Sequence, residues 1–375
     1  MYHRRFIFLY FEIHYSMLKQ KIELKEEQVI EGESFNTSVP EDYQNKKSGN
    51  AKVAYLMQLG HFSTLNHRKS VQECGNWLHF IATKDFSKKK LFSANFCNDR
   101  FCPTCAWRKA HKDAEMVATM MTAIKEEKDY DYLFLTLTVP NVKGSYLKRT
   151  ITKMNHDFGV MTRRKRFAFI QGYMRKLEVT YNWQRDDYHP HFHVVIAVKK
   201  DYFTNDDYMD HEEWLHEWRK VTGNSKITQV NVEKVKDKNN SSAILEIAKY
   251  SAKDEDYTRN LNVFSTFYKA LKGRQLMVFN KVFKEYRKKY EVGELEKYSA
   301  REMDNNQYYW LIVGTWSAKE KLYESQYRRL TDEEIEDINK RLSGEEAKEK
   351  KENRVKVVHL QWQRFKKILF ADVES

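Results

Sequence analysis

The 375-residue chain predicts an α+β protein: an antiparallel sheet with helices packed on one face of it. Three observations predict that class. Residues 188–198 form an apolar run, carrying histidines at alternate positions, of the length of a buried strand. Residues 175–182 have strand propensity, and the polar stretch 183–187 separates the two runs as a hairpin loop would. Leu147, Ile151, Met154, Phe158 and Met161 recur at helical spacing, which gives a stripe that can pack on a sheet.

Residues 1–70 read as an N-terminal extension and flexible lead-in, since 18–49 are mostly polar and charged. The basic and briefly apolar start is cut short at Glu12 and His14, with no small-residue cleavage site behind it. It reads as an extension ahead of a second start at Met17, or as an extra edge strand, rather than a signal peptide. Residues 71–128 hold a cysteine-rich module and a helix. Residues 129–257 hold the sheet: a buried strand at 133–139 ended by Pro140, a basic helix capped by Ser145, the hairpin, a helix over 210–221, a strand over 226–232 and a helix that starts at Ser241 or Ser242. Residues 258–375 read as a basic, mainly helical accessory region, with helices at 264–277 and 281–290, a strand near 308–313 and a charge-dense helix at 333–353.

A formal net charge of +13 implies an anionic partner. With 23 Tyr, 22 Phe and 8 Trp interleaved among the cations, single-stranded nucleic acid is the natural one. Lys284, Arg287 and Lys288 are the cations expected to touch DNA phosphates. No apolar run reaches the length of a membrane span, so a cytoplasmic protein with no membrane partner is expected. Four cysteines in such a protein argue for metal rather than disulfides. Cys97, Cys102 and Cys105 supply three thiolates on one knuckle, and Cys74 completes a tetrahedron for structural Zn2+. His79 or His111 could replace Cys74, and buried free thiols are the plainer alternative.

Residues two apart on a strand share a face, so His191 and His193 point the same way and can hold one metal ion. A hairpin centred near Gln184 and Arg185 sets Glu178 opposite them as a third ligand, unless it pairs with Arg175 or Lys176 instead. Two imidazoles and a carboxylate leave coordination positions open, as a catalytic metal requires. His189 lies on the same face and is a candidate alternative or outer ligand, with Pro190 marking where the strand could begin. On the helix after Ser242, Glu246 and Tyr250 are four apart and share a face, with Lys253 nearly one turn on. A tyrosine is a poor nucleophile at neutral pH, but a lysine and a metal-bound phosphate nearby would favour its phenolate. Taken alone, that helix reads more readily as a solvated amphipathic face.

Together these residues resemble the HUH endonucleases. The strings Phe134-Leu135-Thr136-Leu137-Thr138-Val139-Pro140-Asn141 and Leu177-Glu178-Val179-Thr180-Tyr181-Asn182, the histidine strand, the Glu246 to Asp254 segment, the cysteine segment and Phe264 to Gln275 resemble the replication initiators of Gram-positive rolling-circle plasmids. The resemblance spans about Cys74 to Tyr298, in the motif order of that family. It implies a ferredoxin- or RRM-like core, a catalytic Mn2+ or Mg2+ on Glu178, His191 and His193, and Tyr250 as nucleophile. It further implies that Glu246 activates a terminating water. The implied partners are plasmid origin DNA, single-stranded or extruded as a hairpin, with a host polymerase and possible self-association. A host helicase is implied too, because the chain lacks a P-loop. Conjugative relaxases and HUH transposases are the nearest alternatives; relaxases place their tyrosine before the histidines, whereas Tyr250 follows them. A non-catalytic, zinc-stabilised DNA-binding regulator is the alternative from another class.

Overall fold

Residues 38–235, 253–299 and 307–342 are described by the computed structural model. In chain order they form α1 (Glu41–Ser48), α2 (Asn50–Leu59), α3 (Leu65–Glu73), β1 (Trp77–Ala82), β2 (Lys89–Ala94), α4 (Pro103–Lys128), β3 (Tyr130–Thr138), α5 (Gly144–Thr162), β4 (Gly172–Asn182), β5 (Asp187–Lys199), α6 (His211–Thr222) and β6 (Val230–Lys234). After residue 253 come α7 (Asp254–Tyr257), α8 (Leu261–Leu271), β7 (Met277–Lys281), α9 (Val282–Glu291), β8 (Trp310–Ser317), β9 (Leu322–Arg329) and α10 (Asp332–Leu342).

The larger sheet has five strands in the order β6-β3-β5-β4-β7, and every pairing in it is antiparallel. The fold class is therefore α+β, as the patterning implies. Its centre is β5, whose residues from Phe192 to Val198 are buried on both faces. Phe192, Val194 and Ile196 pack with Phe158 of α5, Trp214 and Trp218 of α6 and Phe267 of α8. Val195 and Ala197 face the opposite way, onto Met120 and Ile124 of α4 and Phe283 and Tyr286 of α9. Helices thus cover both faces rather than one, because the middle strand is apolar at consecutive positions and not only at alternate ones.

The smaller sheet, β2-β1-β8-β9, joins residues near 80 to residues near 312. Beyond residue 258, β8 falls on the strand expected near 308–313, while β9 and β7, which pairs with β4 through Met174↔Phe279, are strands added to a region expected to be otherwise helical. Residues 41–70 correct the lead-in expectation. They are largely helical, since Val53, Ala54, Leu56 and Met57 are buried in the main core and tie α2 to it. The junction of β4 and β7 needs Gly172, where a Cβ would come within 2.8 Å of the Asn280 carbonyl. No helix among the described residues is long and apolar enough to cross a membrane.

Candidate active site

The β4–β5 hairpin positions the site. Its turn is closed by Asn182, whose Oδ1 accepts the backbone N–H groups of Gln184 and Arg185 at 3.0 Å each. Asp186 supplies the left-handed residue at φ 48, a conformation Asp tolerates better than most side chains. This turn fixes the register Asn182↔Asp187, Thr180↔His189, Glu178↔His191 and Lys176↔His193. Because side chains alternate, Glu178, His191 and His193 emerge on the face opposite Phe192 and Leu177.

All three are buried, and one ligand atom from each lies within 4.8 Å of the others. Glu178 Oε2 stands 3.0 Å from His193 Nε2 and 3.5 Å from His191 Nε2. Burial alone would raise the Glu178 carboxyl, but hydrogen bonds and charge from the two histidines outweigh it and hold the group down at about 2.

A divalent ion fits this donor set. Ligation through Nε2 requires the proton on Nδ1, and each Nδ1 has an acceptor in place: the His189 carbonyl at 3.1 Å from His191, and Thr136 Oγ1 at 3.3 Å from His193. Thr136 is the cross-strand partner of His193 on β3. One strand step away, Phe134 lies nearly parallel to the His193 ring, centroids 5.7 Å apart. Both lie in the string 134–141 that carries the family resemblance, but the contact of Thr136 with His193 joins positions 57 apart and is not readable from local sequence.

His189 sits outside the three-ligand cluster, its ring stacked on His191 at 5.1 Å. Burial, reinforced by the His191 charge, lowers its pKa. Lys176, also on this face, is 5% exposed, and burial depresses its ammonium to about 8 against the opposing pull of Asp113 and Glu178. Tyr250 and Glu246 lie outside the described residues. Lys253 is exposed and immediately precedes α7, whose Asp256 accepts the Tyr181 N–H of β4 at 3.4 Å. Tyr257 is no nucleophile: it is buried, and its hydroxyl donates to the Phe101 carbonyl at 3.0 Å.

The four cysteine sulfurs also converge, all within 4.8 Å of one another. Cys74 Sγ and Cys97 Sγ lie 3.5 Å and 3.7 Å from Cys105 Sγ, close to the roughly 3.8 Å that four sulfurs at Zn–S distance keep in a tetrahedron. The donor set therefore fits Zn2+. Backbone N–H groups of Cys97, Asn98 and Asp99 point at three of these sulfurs over 3.2–3.5 Å, as suits thiolates. His79 and His111 are engaged elsewhere, with Ser93 Oγ and the Trp107 carbonyl, so Cys74 is the fourth member. Asn50, fully buried, holds the knuckle by donating to the Cys74 carbonyl at 2.9 Å while its Oδ1 takes the Thr104 hydroxyl at 3.2 Å.

On α9, Val282, Phe283 and Tyr286 face the core, and Lys284 and Lys288 are exposed one turn apart with no anionic partner among the described residues. Arg287 is held by Glu291 at 2.8 Å and lies over Phe279.

The chain is similar to known proteins over most of this architecture. A family model described as "Replication protein" matches residues 88–324. A protein named "Protein rep" from Staphylococcus aureus is 50% identical over 52% of this chain and 86% of its own length. Another "Protein rep", from Streptococcus pneumoniae, is 33% identical over 75% of this chain and 91% of its own, and one from a Bacillus species is 34% identical over 60% and 80%. No solved structure matches. With a family model covering more than half of its residues and such relatives matched over most of their length, the chain belongs to the replication protein family, the plasmid Rep proteins of Gram-positive bacteria that its motifs resemble.

Proposed function

We propose that this plasmid replication initiator is an HUH endonuclease that cuts one strand of its origin through Tyr250 and leaves a 3′-hydroxyl primer for rolling-circle synthesis. The observation that carries the reading is the convergence of Glu178, His191 and His193 on one face of the hairpin, with both Nδ1 atoms already engaged. Held by these three residues, Mn2+ or Mg2+ would polarise a phosphate oxygen and offset the charge of the phosphate.

The chain's own residues account for the remaining steps. Tyr250 Oη attacks the scissile phosphorus while the bond from phosphorus to the 3′ oxygen breaks. That oxygen takes a proton to become the 3′-hydroxyl, and the 5′-phosphate stays esterified to Tyr250. Lys253, three residues on, favours the phenolate by its charge. One phosphoester replaces another, so the strand can later be rejoined. Glu246, on the Tyr250 face of the same predicted helix, takes a proton from water in a second, irreversible cleavage that ends the round. The cysteine cluster holds structural Zn2+ that braces the N-terminal helices against α4. Host helicase and polymerase complete the reaction, since no P-loop motif occurs in the chain.

The test is nicking of a supercoiled plasmid that carries the chain's own replicon, after metal depletion and restoration of Mn2+. The unmodified chain relaxes the plasmid, and His191→Ala or His193→Ala abolishes nicking while origin binding persists. A variant that nicks at the normal rate would remove the metal assignment. Binding without nicking by the unmodified chain would favour the regulator.

A further inference from the structure

Beside the three-ligand cluster, the β4–β5 turn and the Asn141 loop enclose a cleft of about 350 Å³, lined in part by Asn141, Thr180, Asn182, Trp183, Gln184 and His189. Its position along the strands ties it to the site. Thr180 and His189 pair across the ladder one alternation beyond Glu178 and His191, a step of about 7 Å, comparable to one extended nucleotide. The His189 ring stacks on His191, so a ligand ring or phosphate entering the cleft is next to the reacting centre.

The lining suits an unpaired base. Trp183 is 59% exposed, unusual for so large an apolar surface unless something stacks on it. Arg259 carries its guanidinium 5.3 Å from the indole centroid, which sets a cation where a nucleotide's phosphate would run. No carboxylate among the described residues lines the cleft, and Asp187, held by two lining residues, is paired with Arg185 at 3.0 Å and accepts from Asn141 at 2.8 Å, so it does not repel a polyanion as a bare carboxylate would. Asn182 uses its Oδ1 to close the turn. Its Nδ2 and the Gln184 amide make no hydrogen bond among the described residues. The Gln184 amide can offer both donor and acceptor to a base edge, and Asn182 Nδ2 a donor.

We propose that this cleft receives one unpaired base of the strand being cut, stacked on Trp183 and read by the Asn182 and Gln184 amides, so that the hairpin tip selects the nucleotide beside the nick. The inference rests on the nickase reading above. Stacking contributes to affinity without neutralising phosphate, so its loss lowers affinity without changing the salt dependence.

The experiment uses the full chain and the plasmid's own nick, mapped with the unmodified protein. Single-stranded oligonucleotides spanning that nick carry one abasic residue at each flanking position in turn, and affinity is read by fluorescence anisotropy. The unmodified chain should lose about tenfold at one flanking position, the range of one stacked base. Trp183→Ala should lose a similar factor on the intact strand, keep its salt slope, and lose nothing further on that one abasic strand. Trp183→Phe should restore most of the affinity. If Trp183→Ala binds every strand as the unmodified chain does, or loses the same factor on all abasic strands and on duplex, the subsite is wrong while the nickase reading stands. If the unmodified chain produces no nick to map, the nickase reading fails and this inference with it.

Discussion

Thr136 and His193 face each other across the β3–β5 ladder, and the threonine hydroxyl oxygen lies 3.3 Å from Nδ1 of the imidazole. That contact turns Nε2 toward Glu178 Oε2, 3.0 Å away, which is the property the metal reading depends on.

Thr136→Val keeps the shape and removes the acceptor, so Mn2+ affinity should fall roughly 10- to 100-fold. Calorimetric titration of the two proteins measures it. Thermal stability should change little, because Thr136 is a partly exposed strand residue and valine suits a strand. Unchanged affinity would mean that the hydroxyl does not orient His193.

Cys102 is fully buried in the sulfur cluster and is flanked by Asn50 Oδ1 at 3.4 Å. Cys102→Ser should lower zinc content and stability together, by about 3 kcal/mol or more, which is roughly 4 °C or more in Tm for a chain of this size. Elemental analysis beside calorimetry checks both. A protein purified without chelator and found free of zinc would remove the cluster's proposed role.

Lys284 and Lys288 project from α9 away from its buried face. Changing both to glutamine should weaken DNA binding irrespective of sequence and flatten the plot of log affinity against log salt by roughly 0.9 per lost contact on duplex and about 0.7 on single strands. Arg287 has a partner in Glu291, so Arg287→Gln should flatten it less. A slope that stays the same in the double variant would move the DNA surface off this helix.

Glu127 on α4 accepts the Tyr286 hydroxyl at 2.6 Å and the Tyr298 hydroxyl at 2.9 Å, and pairs with Lys289 at 3.1 Å. These hydrogen bonds bring its carboxyl from the usual 4.5 down to about 2. A carboxylate depressed in the folded state stabilises fully above its unfolded pKa, and that stability is lost as pH falls toward the folded value. Glu127→Gln should therefore be the less stable protein at pH 7, with the gap closing between about pH 5 and 2. Urea unfolding across that range reads it, and a gap that is constant with pH would show that the carboxylate's charge is not what docks α9.

The hairpin and its register were legible because they are local. A period-two run, a polar turn with Asn182 and Asp186, and a fixed loop length set which residues oppose which. The cysteine knuckle was legible for the same reason, with Cys74 close enough in sequence to complete it. What sequence reading missed is non-local. Thr136 acquires its role only when β3 pairs with β5, and Asn50 acquires its own only when α2 meets the knuckle. The smaller sheet escaped because β2, Lys89 to Ala94, mixes lysines with apolar residues and finds its place through β1, which pairs in turn with a strand more than two hundred residues away. The helices between 41 and 70 escaped because their many polar residues masked a narrow apolar stripe through Val53, Leu56 and Met57.

The most direct test of the central claim is intact-mass spectrometry of the full chain after incubation with Mn2+ and a single-stranded oligonucleotide spanning its origin nick. The account predicts a covalent adduct equal in mass to the protein plus the downstream, 5′-phosphoryl fragment, mapped by peptide sequencing to Tyr250 and absent from both Tyr250→Phe and His191→Ala. Cleavage with no adduct, an adduct on another tyrosine, or an adduct that persists in Tyr250→Phe would contradict it.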